Sequence, residues 1–318
     1  MSSKTKQLRY RLEKVGVMLA IHVVPMMGRR TLMVTARFLG NIGWVLDSRG
    51  RKTTDQNLHF AFGETPPCTS RAVYRSVART VLELFWASNL TQIIYKGLVT
   101  EVSDPPGLAV PPVGKPCIQV CPHFGNFEWL IHGQAYSHGR ELLVLAQDFK
   151  NPLLTPLFAG LREHSGHTLI SRKGGLLKLM RHVKRGGATA FVTDLTVAPD
   201  QAATVVRCFG GATSATAGHI ELARRTGAVL EPHIMIPLKN GGYRNVRGAP
   251  VEVEGRSNRE AAQECWDFYE RHMQECPEAW LWMYKHWRYI PPGVEDGSFP
   301  SYANRSKKFD KLVERELG

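Results

Sequence analysis

The 318-residue chain has only six cysteines, at positions 68, 117, 121, 208, 265 and 276, and they fall in no metal-binding spacing. The scatter argues against a zinc site built from four thiolates and reads as reduced thiols in a cytosolic compartment. Long apolar runs are missing too. A bilayer-spanning helix needs about 20 apolar residues, whereas the stretch 15–27 has 13 and includes His22 and Pro25. A secretory leader is opposed by the next residues, Gly28-Arg29-Arg30, which offer no small-residue cleavage site. There is no Gly-rich phosphate loop, so no nucleotide or redox cofactor is expected. Repeats, low-complexity runs and Ser/Gly linkers are absent, which favours one main domain. Aromatics do not interleave with the basic runs as a nucleic-acid stacking surface requires, so nucleic acid is not an expected partner. His132, His138, His164, His167 and His182 follow no metal spacing, and a metal-assisted hydrolase built on His123 lacks a third ligand.

What the chain does have is positive charge, a net +13. That excess asks for an acidic partner, and an anionic membrane surface or an acidic carrier protein would serve. Basic residues gather at Lys4, Lys6, Arg9, Arg11 and Lys14, at Arg29-Arg30, at 49–52 and at 305–311. Together with the apolar stretches 15–27 and 32–46 they predict a helical hairpin lying on or dipping into the cytoplasmic leaflet, with full spanning as the alternative. Residues 1–50 are therefore expected to be membrane-associated helices, and 51–318 a catalytic domain.

Within the larger part, apolar periodicity predicts a helix over 71–98, and a proline-rich stretch then breaks the pattern. Short apolar strands come next, at 117–121, 142–146, 188–193, 205–209 and 229–236. Helical segments lie between them near 128–137, 152–164, 176–184 and 216–225, and another covers 258–275. This alternation predicts an α/β fold with a mixed, largely parallel sheet flanked by helices.

The most informative segment is His123-Phe124-Gly125-Asn126-Phe127-Glu128. It joins the strand at 117–121 to the next helix, and strand ends of α/β sheets are where reacting groups collect. The Gly125-Asn126 turn tolerates positive φ and can fold the Glu128 carboxylate back onto the imidazole. That contact would fix the tautomer and leave the other ring nitrogen to accept a proton. Gly125 and Asn126 are candidate oxyanion donors at the helix N-terminus. Arg162, Arg172 and Lys173 are candidate phosphate binders. Asp194, at a strand end, is expected to position Arg162 or a substrate hydroxyl, or to cap the next turn. Cys121 and Ser171 are rival nucleophiles for a covalent-intermediate route. The run Trp280-Leu281-Trp282 with Tyr284 and Trp287 reads as a lipid-facing channel or as core packing with an interfacial belt.

His-Phe-Gly-Asn-Phe-Glu resembles the His-x4-Glu motif of the bacterial late acyltransferases of lipid A biosynthesis, the lauroyl and myristoyl transferases. Further marks stand in family order: Asn57-Leu58 with Ala61-Phe62, Asn151-Pro152, Arg162, Gly166, and Gly186-Gly187 before Asp194. Phe209-Gly210 with Ala212, and Pro277-Glu278 with Trp280 and Trp282, complete the set. Leu195 stands where the family usually has Gln, Cys208 replaces a Phe, and Tyr284-Lys285-His286 departs from its usual close. The resemblance implies a glycerol-phosphate acyltransferase-like fold at the cytoplasmic face of the inner membrane. It implies transfer of a fatty acyl chain from acyl carrier protein to a hydroxyl of a membrane glycolipid, a lipid A precursor or similar, with His123 and Glu128 as catalytic pair. A phosphoglycolipid or lysophospholipid acyltransferase using acyl-CoA is the near alternative, and a non-catalytic lipid-binding protein the distant one.

Overall fold

The computed structural model describes residues 3–317. The chain opens with α1 (Ser3–Val23), α2 (Arg29–Leu46), α3 (Ser48–Phe62), α4 (Ser70–Trp86) and α5 (Gln92–Leu98). Then come β1 (Val99–Asp104), β2 (Cys117–Cys121), α6 (Glu128–His138), β3 (Leu143–Ala146) and α7 (Thr155–Glu163). They lead into β4 (Thr168–Ser171), α8 (Arg172–Lys184), β5 (Ala188–Val192), β6 (Ala203–Cys208) and β7 (Gly211–Thr216). α9 (Gly218–Thr226), β8 (Val229–Pro237), β9 (Tyr243–Gly248), α10 (Asn258–Met273) and α11 (Lys307–Leu317) complete the chain.

Five strands form the main sheet in the order β1-β9-β8-β2-β5, parallel throughout except for the β8–β9 pair. β3 and β4 form a parallel pair that meets the sheet edge through a Leu142–Ala188 bridge, and β6 and β7 make an antiparallel hairpin. β2 is buried at every residue, as a central strand covered on both faces must be. The mixed, mostly parallel architecture is the one expected. Each of the five anticipated strands is present to within a residue or two at either end. The single helix expected over 71–98 is instead two, α4 and α5. Between them the Asn89 side chain donates to the Pro25 carbonyl, and Thr91 caps the new helix through Ile94 N–H.

At the amino terminus two helices follow in succession, with α2 packed along α4 rather than paired with α1 as the expected hairpin, and no described helix is long and apolar enough to cross a membrane. α1 carries an exposed apolar stripe, Leu8, Leu12, Val15, Leu19 and Val23, at helical spacing. α2 buries Leu32 and Ala36 and packs along α4, where Gly40 sits against the backbone of Arg75 too closely for any Cβ. Its other face exposes Val34, Phe38 and Val45. Residue 50 falls inside α3, so one helix runs through the expected boundary.

Candidate active site

Parallel strands β2 and β5 lie side by side with Cys121 opposite Val192. Two residues beyond that pair stand His123 and Asp194, so the register alone carries them to the same place. His123 Nδ1 lies 2.7 Å from Asp194 Oδ1. The other carboxylate oxygen, Oδ2, accepts the indole N–H of Trp280 at 2.8 Å. Asp194 is fully buried, yet its pKa is lowered: burial works to raise it, and the His123 charge, the His123 hydrogen bond and Trp280 outweigh that. Burial likewise pulls the His123 pKa down. The Asp194 carboxylate, its hydrogen bond and the nearby Glu128 charge overcome this and raise it above the ordinary histidine value. With Nδ1 engaged, Nε2 has no partner among the described residues and is left to accept a proton.

Asp194, not Glu128, is thus the group that orients the imidazole. Glu128 heads α6 and turns away from the ring, toward the last turn of α7. There it takes two hydrogen bonds from Arg162, Nε to Oε2 at 2.8 Å and Nη2 to Oε1 at 2.5 Å. A bidentate pair with a guanidinium is a better partner for a largely buried carboxylate than an imidazole Nδ1 already held elsewhere. Arg162 keeps Nη1 without a partner among the described residues.

The expected oxyanion donors are also occupied. Gly125 N–H donates to the Ala279 carbonyl, and its own carbonyl accepts from Thr80. The Asn126 carboxamide donates to Glu83 Oε2 at 2.9 Å and accepts from Trp129 N–H, so it caps α6. Glu83 is itself fully buried among Arg29, Arg79 and Tyr243. Arg29 also lies over the rings of Trp86 and Trp129. The turn carrying His123 is therefore seated on a buried ionic knot, and that knot reaches back to the start of α2.

Lys173 is exposed at a kink in α8, and the Arg172 side chain lies outside the described residues. Cys121 is buried, with burial pushing its thiol pKa up and the Asp194 and Glu128 charges adding to that, the reverse of what a nucleophile needs. Ser171 Oγ donates to Asp148 on the surface. Trp280, Trp282 and Trp287 are core residues without solvent exposure, and Leu281 lines the smaller of two cavities at His123. Two other landmark residues are structural ties: Asn57 donates to the carbonyls of Trp282 and Tyr284, and Asn151 binds Tyr10 and Glu13 of α1.

Two cavities meet at His123, Phe127 and Glu128. The larger, about 260 Å³, runs under α6 along β2 and β5, walled mainly by Leu130, Ile131, Val144, Leu145, Ala190 and Phe191. The smaller, about 190 Å³, lies against α4 and is almost wholly apolar. The Phe127 ring, edge-on to His123 at 4.8 Å between centroids, lines both. The imidazole, its Nε2 without a partner among the described residues, thus faces two mainly apolar clefts, and in its neutral form it is suited to taking a proton from a hydroxyl beside an apolar chain.

No curated protein sequence matches this chain. Residues 2–289 match the family described as bacterial lipid A biosynthesis acyltransferase. The match covers most of the chain and includes His123, Glu128, Arg162 and Asp194, so the protein belongs to the bacterial lipid A biosynthesis acyltransferases.

Proposed function

We propose that the protein moves a fatty acyl chain from an acyl carrier protein thioester to a hydroxyl of a lipid A precursor or similar glycolipid, at the cytoplasmic face of the inner membrane. The observation that carries this reading is the His123–Asp194 pair at the junction of two apolar cavities. The acceptor hydroxyl gives its proton to His123 Nε2 as its oxygen attacks the thioester carbonyl carbon. The tetrahedral intermediate then expels the thiolate, the C–S bond breaks, and Nε2 returns the proton to sulfur. No covalent enzyme intermediate is required, in keeping with the disfavoured Cys121 thiolate. Glu128 holds Arg162 at the mouth of the larger cavity, where the unpaired Nη1 is suited to a phosphate or to the developing oxyanion. The exposed apolar stripe of α1 and the basic amino-terminal residues favour attachment to an anionic membrane surface.

Purified protein incubated with acyl carrier protein thioesters and with acyl-CoA, against a panel of lipid acceptors, tests the reading. The expected product is an acceptor heavier by one acyl chain, formed from the carrier-protein donor and lost on the order of 10²- to 10⁴-fold in His123→Ala. Preference for acyl-CoA and a lysophospholipid would move the assignment to the neighbouring lipid class. Lipid binding without transfer to any acceptor would make the chain a non-catalytic binding protein.

A further inference from the structure

Apart from His123, Glu128 and Arg162, the larger cavity has three polar residues in its mainly apolar wall, Gln119, Gln147 and His233, and Gln119 sits deepest along β2. Gln119 is 5 % exposed, lines the cavity, and its carboxamide has no hydrogen-bond partner among the described side chains and backbone. It lies four residues before His123 on β2, about 13 Å along the strand at ~3.3 Å per residue. The cavity-lining residues Ile131, Val144 and Ala190 pack against a small buried cluster of Cys117, Leu142 and Ala188, of which Cys117 and Ala188 precede Gln119 and Ala190 by two residues on β2 and β5. The register sets Gln119 beside Ala190 of β5, so nothing bulky on that side shields its amide from the cavity. A primary carboxamide offers two donors and two acceptor lone pairs, and burying it against hydrocarbon leaves all of them unmet.

We propose that Gln119 is the end stop of the acyl-chain cavity and sets the longest chain the protein accepts, an inference that rests on the acyl-transfer reading above. A chain that stops short leaves the carboxamide its hydration. A longer one displaces that water and gains nothing in return. An apolar cavity of about 150 Å³ holds a benzene ring, so one of 260 Å³ has room for about ten carbon atoms. The stop is polar and not only steric, because leucine fills nearly the same space as glutamine without needing hydrogen bonds.

The test is a homologous series of saturated acyl thioesters, from about eight to sixteen carbons with room for about ten in the cavity, given to wild type and Gln119→Leu. In the wild type kcat/KM should climb about fourfold per methylene, break near the cavity's capacity, and then fall. In Gln119→Leu the break should move to longer chains, raising the long-to-short ratio on the order of tenfold. A terminal hydroxyl on a chain just past the break should restore use by wild type and not by the variant, which mere repacking would not produce. A break at the same length in both proteins overturns the proposal. If the wild type transfers no chain from any donor, the acyl-transfer reading falls. Calorimetric binding of the matching free fatty acids then still reads Gln119 by the same shift or its absence.

Discussion

His123 is useful as a base only while it is neutral, and its neighbours decide when that is. Because Asp194 and Glu128 together raise its pKa, the acid limb of the kcat/KM profile should sit above the ordinary histidine value. In Asp194→Asn the larger raising charge is gone and only Glu128 still opposes burial and Arg162, so the limb should move to lower pH. The asparagine amide would also donate to Nδ1 and select the wrong tautomer, lowering the plateau on the order of 10³-fold or more. A limb that stays in place would show that Asp194 does not face the reacting ring. Glu128 and Arg162 provide a second check, because one raises and the other lowers the His123 pKa. Glu128→Gln should shift the limb down and Arg162→Leu should shift it up, read from the same profiles. Both His123 and Asp194 stand out in the sequence as strand-end residues. Their partnership does not, because α6, β3, α7, β4, α8 and β5 lie between them in the chain. Spacing within one segment points to Glu128, whereas strand order and register select Asp194.

At the level of elements, the turn between β2 and α6 does the positioning. Gly125 has φ +54°, and a Cβ there would overlap the Met235 carbonyl oxygen of β8. Gly125→Ala should therefore destabilise the protein by more than the ~1–2 kcal/mol that positive φ alone costs. Thermal unfolding measures this, and an unchanged midpoint would mean the turn can relax away from β8. The strands legible in the sequence are those with continuous apolar runs, such as 117–121 and 229–236. β9 is not among them, because its Asn245 and Arg247 are buried against His233 and Glu231, and buried pairs look like surface residues in a sequence. β4 and β7 are short and rich in Ser, Thr and Gly, composition shared with loops. The aromatic run at 280–287 is legible as either channel or core. The Trp280 indole on Asp194 shows why it belongs to the core and still bears on the site.

Taken whole, the molecule carries a net charge of +13, part of it on the amino-terminal helices, and also turns an apolar stripe of α1 outward. It should sediment with vesicles of anionic lipid, bind zwitterionic vesicles weakly, and release as added salt shortens the screening length. Leu12→Glu or Phe38→Glu should each weaken binding about tenfold or more, the worth of one buried apolar side chain. Equal binding by wild type and both variants would leave these two helices without that role. They are no detachable appendage, however. Arg29 closes the ionic knot around Glu83 and lies over Trp86 and Trp129, and Glu83 in turn grips Asn126 behind the imidazole. Trimming the chain back to Asp47 for easier handling would take one of two guanidinium partners from a buried carboxylate and strip the cover from two tryptophans. An amputated protein of that kind should come out misshapen around His123, so removing the first two helices should disturb the turn that holds the imidazole.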